Sequence, residues 1–310
     1  MSAAAAQPAS PADPRRERIG LIFVALCALV NAFTAPFAKL NTNLADASFV
    51  SAASVLLGAL FAAGQLAWRG DLKLIVRRDL APRFAAVGLF GTAIAFLLYF
   101  EGSQRSTAIE TALCVQSEPA YSMLLAWLVF GHRPTLARVL ATLAIMLGIA
   151  TAVGLEHAGG STGVLILLAA PLAWQISHLI VLRELRGVHP DVLTGGRYVY
   201  GSVFLVLLWL LRGGLDRLPP AELWPQLVPQ LAVQGIVLGW GGTLLWYHSI
   251  TRLDLNRVTS IVVPSIPLLS FCAGFLLLGE TPSARQWLGL AITGAGVIAF
   301  VRAQEPARAT

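Results

Sequence analysis

Charge is what this sequence has least of. Asp, Glu, Lys and Arg make up 12% of its 310 residues, about half the usual share in a soluble domain. Hydrophobic residues reach 56% before the 28 glycines are counted. No water-soluble fold of this size hides that much apolar side chain, because a globular surface needs charge. A soluble enzyme, a nucleic-acid module and a disordered regulator are thereby excluded, and the solvent for most of the chain is lipid. The net charge of +6 comes without the basic patch and interleaved aromatics of a nucleic-acid binder. Cysteine is scarce too. Cys27, Cys114 and Cys272 lie singly in apolar runs with no C-x-x-C, and they read as small core residues that leave the redox compartment open. H-E-x-x-H, a Walker motif, G-x-S-x-G and any His/Cys metal spacing are missing. The sequence therefore predicts no metal site, no cofactor and no enzyme.

Long apolar runs are what is there. A window of about 19 residues, cut at Gly, Pro and charge clusters, yields ten segments of membrane-crossing length. They are 19–40, 48–68, 83–101, 106–130, 135–154, 162–183, 190–212, 228–249, 255–278 and 284–302. The ends, 1–18 and 303–310, are too poor in apolar residues to pack a core and read as cytoplasmic tails, the first one disordered. Arg15, Arg16 and Arg18 ahead of the first run, with Ala45-Asp46-Ala47 after it, imitate a signal peptide. That run exceeds an h-region of about 7 to 15 residues and Lys39 intervenes, so the segment is expected to stay. One face of the membrane receives only Lys39, Arg105, Arg212, Arg217 and Arg285, and Arg197 lies within a span. Every other Lys and Arg falls on the side of the N-terminus, which by the positive-inside rule puts both termini in the cytoplasm, at the cytoplasmic membrane.

The chain also repeats itself. Pro119 and Pro267 stand 148 positions apart, and the same offset pairs Tyr99 with Tyr247, Thr111 with Thr259, Ser122 with Ser270, Gly131 with Gly279, Pro134 with Pro282 and Gly148 with Gly296. No gap is needed, and Pro, Gly and Tyr matching in register is not the accident that Leu and Ala matches are. A five-span unit, 19–154, is written again as 155–302. Five is odd, so the second copy enters from the opposite side. The fold expected is an all-α polytopic membrane protein of ten transmembrane helices arranged as two inverted five-helix repeats, an arrangement common in secondary transporters.

Glu118-Pro119 ahead of a Leu/Ala/Trp run, the following Gly131 to Pro134, and their echo from Pro267 to Gly279-Glu280-Thr281-Pro282 resemble the EamA-type branch of the drug/metabolite transporter superfamily. The resemblance covers nearly the whole chain and is clearest in spans 3 to 5 and 8 to 10. It implies a ten-helix carrier of small metabolites, often working outward, and a role for Lys39, where many members have Lys. The family often has Trp-Gly late in the first span. Asn31-Ala32 stands there in this sequence, and Trp174-Gln175 in the comparable part of span 6.

Glu118 lies well inside an apolar stretch, where an acid costs on the order of 3 kcal/mol and is compensated by something. At about 100° per residue, Thr111 falls about 20° and Ser122 about 40° from it, one polar stripe on an apolar helix. Pro119 frees the Val115 carbonyl, and Pro264 and Pro267 free those of Ser260 and Val263. Kinks at corresponding depths are expected, marking either a transporter cavity or helix packing. On span 6, Pro171, Gln175 and His178 fall within about 60° of one another, with Trp174 about 40° beyond His178. Asn31, Tyr99, Thr111, Glu118, Ser122, Trp174, Gln175, His178 and Tyr247 are the substrate-binding candidates. Glu118, His178 and Lys39 are candidates for ion coupling, and Pro119, Pro264 and Pro267 for gating. His178 read blandly is an interhelical donor, and Lys39 a snorkelling end charge. Arg197, beside Tyr198 and Tyr200, reads first as an anchor that snorkels to the cytoplasmic interface, with substrate binding as the alternative. Gly294-Ala295-Gly296 mimics a dinucleotide loop but follows no strand; it and the Gly235/Gly239 pair read as close-packing faces.

The expected function is a secondary carrier, an exporter of a small metabolite such as an amino acid, energised by an ion gradient or by the substrate gradient itself. Its partners are a small-molecule substrate and the bilayer, not nucleic acid. The alternatives are a membrane-embedded lipid-modifying enzyme, which needs clustered acid, base or metal ligands near an interface, and a passive channel or non-transporting subunit.

Overall fold

Helix ends in this protein are written into the sequence as caps. Thr107 accepts the Glu110 N–H at 3.1 Å while the Glu110 carboxylate accepts the Thr107 N–H at 2.9 Å, a closed capping box. Thr135 caps the next span at Arg138 N–H, and its repeat mate Ser283 does the same at Gln286 N–H. Gly131 and Gly279 end their helices at φ 71° and 67°, the left-handed conformation a helix stop requires and glycine adopts without strain. The duplicated Gly-x-x-Pro-Thr/Ser run is thus a helical hairpin: a glycine stop, a proline that cannot continue the helix, and a hydroxyl that starts the next one.

The computed structural model describes residues 14–131, 133–154, 162–250, 252–253 and 255–303. Of the expected tails 1–18 and 303–310, residues 1–13 and 304–310 lie outside the described residues, as do 155–161 at the start of the second unit. Among those described there is no strand, and ten helices are long and apolar enough to cross a bilayer. They are α1 (Glu17–Thr42), α2 (Ala47–Arg69), α3 (Ala81–Gln104), α4 (Ala108–Phe130), α5 (Leu136–Val153), α6 (Thr162–Glu184), α7 (Pro190–Leu211), α8 (Ala221–Ser249), α9 (Leu255–Leu278) and α10 (Ala284–Arg302). The largest difference from the expected segments is α8, which begins well before residue 228 because a 3-10 turn, Ala221–Leu223, leads into Trp224, whose ring N–H donates to Pro219 O at 3.1 Å.

Packing follows the repeat. α5 lies on α10 and α2 on α7, each pair joining equivalent helices of the two halves. α3 against α6 is matched by α8 against α1, α4 against α6 by α9 against α1, and α2 against α8 by α7 against α3. The main core gathers Tyr99, Phe100, Cys114, Ile145, Leu167 and Leu231 from several of these helices. Glycines let the backbones close up. A Cβ on Gly148 or Gly289 would meet the other's carbonyl oxygen at 2.8 and 2.6 Å, and one on Gly296 would meet Ile145 N at 2.8 Å. Both halves also open their third helix into a π-helical stretch, Leu89–Ile94 in α3 and Val233–Gly241 in α8, and the repeat offset makes these two stretches overlap. Such widenings inside α-helices recur at functional sites.

The two halves differ where matched kinks are expected. α4 is interrupted: its α-helix runs Ala108–Val115, turns through Gln116 and Ser117, and resumes Glu118–Phe130. Ser117 Oγ donates to Cys114 O at 2.8 Å inside that turn. α9 stays helical from Leu255 to Leu278 through both Pro264 and Pro267. Pro264 occupies the place of Gln116, and a proline locked near a helical φ keeps the chain on course where Gln116 is free to tighten.

Candidate solute site

The break in α4 makes Glu118 the first residue of a 13-residue half-helix, whose free N–H groups and positive dipole end favour a carboxylate. Gln175 Nε2, on α6, donates to Glu118 Oε1 at 2.6 Å. His178, one turn further along α6, holds Nδ1 3.8 Å from the same oxygen, beyond a hydrogen bond and within the reach of an ion pair when the ring is protonated. Both Glu118 and His178 are ringed by protein at depth, yet 38% and 41% of their side-chain surface is accessible. Both therefore border open space rather than close-packed protein. Tyr247 on α8 is likewise deep and only half-buried. Trp174 completes the wall through edge contact with Phe96, ring centroids 6.1 Å apart, and a tilted contact with Tyr99 at 5.9 Å.

Several other candidates stand apart from this group. Thr111 is fully buried and donates to Thr107 O of its own helix at 2.9 Å, so it is satisfied within the packed first half of α4. Tyr99 is 3% exposed and belongs to the aromatic core behind Trp174. Asn31 donates to Cys27 O at 2.8 Å within α1 and lies beside Gly242. Ser122 is exposed one turn along α4 from Glu118. Lys39 Nζ donates to Gln104 O at 3.1 Å at the far end of α1, in the field of Glu280 and Glu110 and away from Glu118. At that same end the Glu280 carboxylate accepts the N–H groups of Ala108 at 2.9 Å and Ile109 at 3.2 Å, tying the loop after α9 to the start of α4.

Arg197 does not snorkel. It is 9% exposed, with Nη2 donating to Gly91 O at 2.5 Å and Nε to Thr92 Oγ1 at 3.1 Å, both in the π-helical stretch of α3. It starts ~10 Å below the beginning of α7, at about 1.5 Å rise per residue. The flanking Gly195 and Gly196 bring α7 against Leu66 and Phe84, which close the way to the interface. Its charge acts on Glu118, His178 and Tyr247. The one signal in the sequence that points to it is an arginine inside a span directly after two glycines. Among the described residues no three His, Cys, Asp or Glu side chains are grouped to hold a metal ion.

The EamA-like transporter family matches this chain twice, over residues 18–154 and again over 161–302. The chain belongs to the EamA-like transporter family. It is a multi-pass membrane transporter, and the two family matches are the two five-helix units. An uncharacterized transporter of Archaeoglobus fulgidus is 23% identical over 288 residues, covering 91% of this chain and 94% of that protein. A probable terminal-alkyne amino-acid exporter of Streptantibioticus cattleyicolor is 28% identical over 230 residues, covering 73% and 74%. A crystal structure at 20% identity superposes with a TM-score of 0.62 over 91% of this chain and 96% of the other, a likeness of fold. In this EamA member the duplicated Gly-x-x-Pro run has the hairpin role described above, and Glu118-Pro119 is the place where α4 restarts.

Proposed function

We propose that this transporter is a secondary carrier that exports a small metabolite, an amino acid or a related compound, across the cytoplasmic membrane by alternating access. Both termini lie inside, as the arginine-rich loops favour. The observation that carries the reading is the Glu118–Gln175 hydrogen bond, between α6 and the break of α4, beside the partly accessible His178, since discontinuous helices at mid-membrane are where carriers hold solute. In the solute cycle Glu118 pairs with a substrate ammonium or a proton, and His178 shares that charge at 3.8 Å. Gln175 orients the carboxylate, Trp174 and Tyr247 complete the lining, and Asn31 and Ser122 meet the solute along its path rather than at this group. Tyr99 and Thr111 support the wall from behind. Lys39 and Glu280 close the outer end, and their contacts with Gln104 and with the Ala108 and Ile109 amides open for release. Pro119 permits the hinge in α4, and Pro264 and Pro267 soften α9. The relative that is a probable amino-acid exporter favours the substrate class.

Counterflow in proteoliposomes tests this. Saturable exchange of a labelled amino acid distinguishes a carrier from a pore. Glu118→Gln keeps the shape and removes the charge. A charge-assisted bond of about 1.5–3 kcal/mol predicts a roughly 10- to 100-fold loss of exchange and a flattened pH dependence. Unchanged exchange and pH dependence in Glu118→Gln overturn the role of Glu118.

A further inference from the structure

Arg197 carries a charge that the fold does not neutralise. The residue is nine-tenths buried, and none of the ion pairs among the described residues includes it. The two acceptors it uses, Gly91 O and Thr92 Oγ1, are uncharged and take Nη2 and Nε. Nη1 makes no hydrogen bond among the described residues and, unlike the neighbouring Tyr198 Oη and Thr194 Oγ1, is not sealed off by protein. A buried cation left this way is strongly unfavourable unless a partner arrives. Glu118 is in the field of Arg197 but farther from it than an ion pair reaches, so one positive and one negative group lie near each other without pairing.

We infer that Arg197 anchors the carboxylate of the transported solute, so that the cargo is a free amino acid carrying both carboxylate and ammonium rather than an amine, a sugar or a nucleoside. The inference rests on the reading of the chain as a carrier with its site at Glu118. A guanidinium presents its donors as a planar fork that a carboxylate fits, which an ammonium does not. The bonds to Gly91 and Thr92 hold that fork in place, because the π-helical stretch of α3 leaves its carbonyl and hydroxyl turned to α7. The ammonium then lies towards Glu118, and each charge of the solute meets its opposite. A carboxylate without an ammonium would leave Glu118 unpaired, and an amine without a carboxylate would leave Arg197 so. The competing role is a pin that merely holds α7 to α3.

The test uses the full chain in proteoliposomes with matched probes: alanine, leucine and phenylalanine, each beside its decarboxylated amine, its carboxamide and its deaminated acid, with glucose and uridine as uncharged solutes. The expected result is counterflow of at least one amino acid with its amine and carboxamide weaker by about 100-fold or more, since a site built to hold a polar group rejects the analogue lacking it. Arg197→Gln erases that preference, and Arg197→Lys retains only part of it. A uniform loss across all probes in Arg197→Gln indicates the pin and overturns the anchor. Equal exchange of amine and amino acid by the wild-type chain overturns it too, and that comparison decides even where Arg197→Gln does not fold. Exchange of glucose, uridine or amines with no carboxylate-bearing probe recognised sinks the anchor and leaves the carrier standing. Absence of exchange for every solute sinks both.

Discussion

Ser270 Oγ, on α9, donates to the backbone carbonyl of Ala32 on α1 at 2.7 Å. That carbonyl lacks its helical partner because the residue four positions on is Pro36, which has no N–H, and α1 pauses there at Phe33. Inside a bilayer a freed carbonyl must find another donor. Ser270→Ala is therefore expected to destabilise the protein by about 0.6–1.7 kcal/mol, the range for interhelical hydrogen bonds in membranes. In a Pro36→Ala background, where a backbone N–H returns, the same substitution costs close to nothing. A double-mutant cycle read by unfolding in detergent checks this, and equal costs in both backgrounds contradict it.

Two glycines that look alike in sequence are expected to behave oppositely. A Cβ on Gly235 would overlap Ser54 O and crowd Gly58 N at 3.2 Å, where α8 crosses α2. Gly294, half of the Gly294/Gly296 pair, has nothing within 4 Å of its Cβ position. Gly235→Ala should destabilise by about 1–3 kcal/mol through overpacking. Gly294→Ala should stabilise by roughly 0.5–1 kcal/mol through the unfolded chain. Thermal melts of the two single variants decide it, and a shared sign removes the packing argument.

Orientation is open to chemical labelling. Arg77 and Arg217 are both exposed in loops at opposite ends of the bundle. In a Cys272→Ser background, Arg217→Cys should react with an impermeant maleimide in intact cells and Arg77→Cys only after the membrane is opened. The reverse pattern places the termini outside.

The duplicated hairpin is legible from the amino-acid sequence alone. Gly131, Pro134 and Thr135 with Gly279, Pro282 and Ser283 set where two helices stop and two begin, because caps depend on neighbours along the chain. Glu118 and Gln175 are legible as well, since a polar side chain in an apolar run must meet something. Their partnership is not, because each lies on its own helix and nothing local says which faces turn together. Thr111 shares a stripe with Glu118 on an ideal helix, but the turn at Gln116 and Ser117 separates them and leaves Thr111 in the packed half. Arg197 departs from its expected snorkelling for a related reason. Depth along a span is countable, but whether an arginine can reach the interface depends on Leu66 and Phe84 pressing on Gly195 and Gly196.

That this is a ten-span membrane protein built of one unit used twice follows from sequence with no help from packing, because span length against bilayer thickness and the register of prolines and glycines are properties of the chain alone. The break in α4 without a counterpart in α9, and the approach of Gln175 and His178 to Glu118, are outcomes of tertiary packing. The rotation of each helix about its own axis is set by the helices it packs against, and that rotation selects which polar side chains meet.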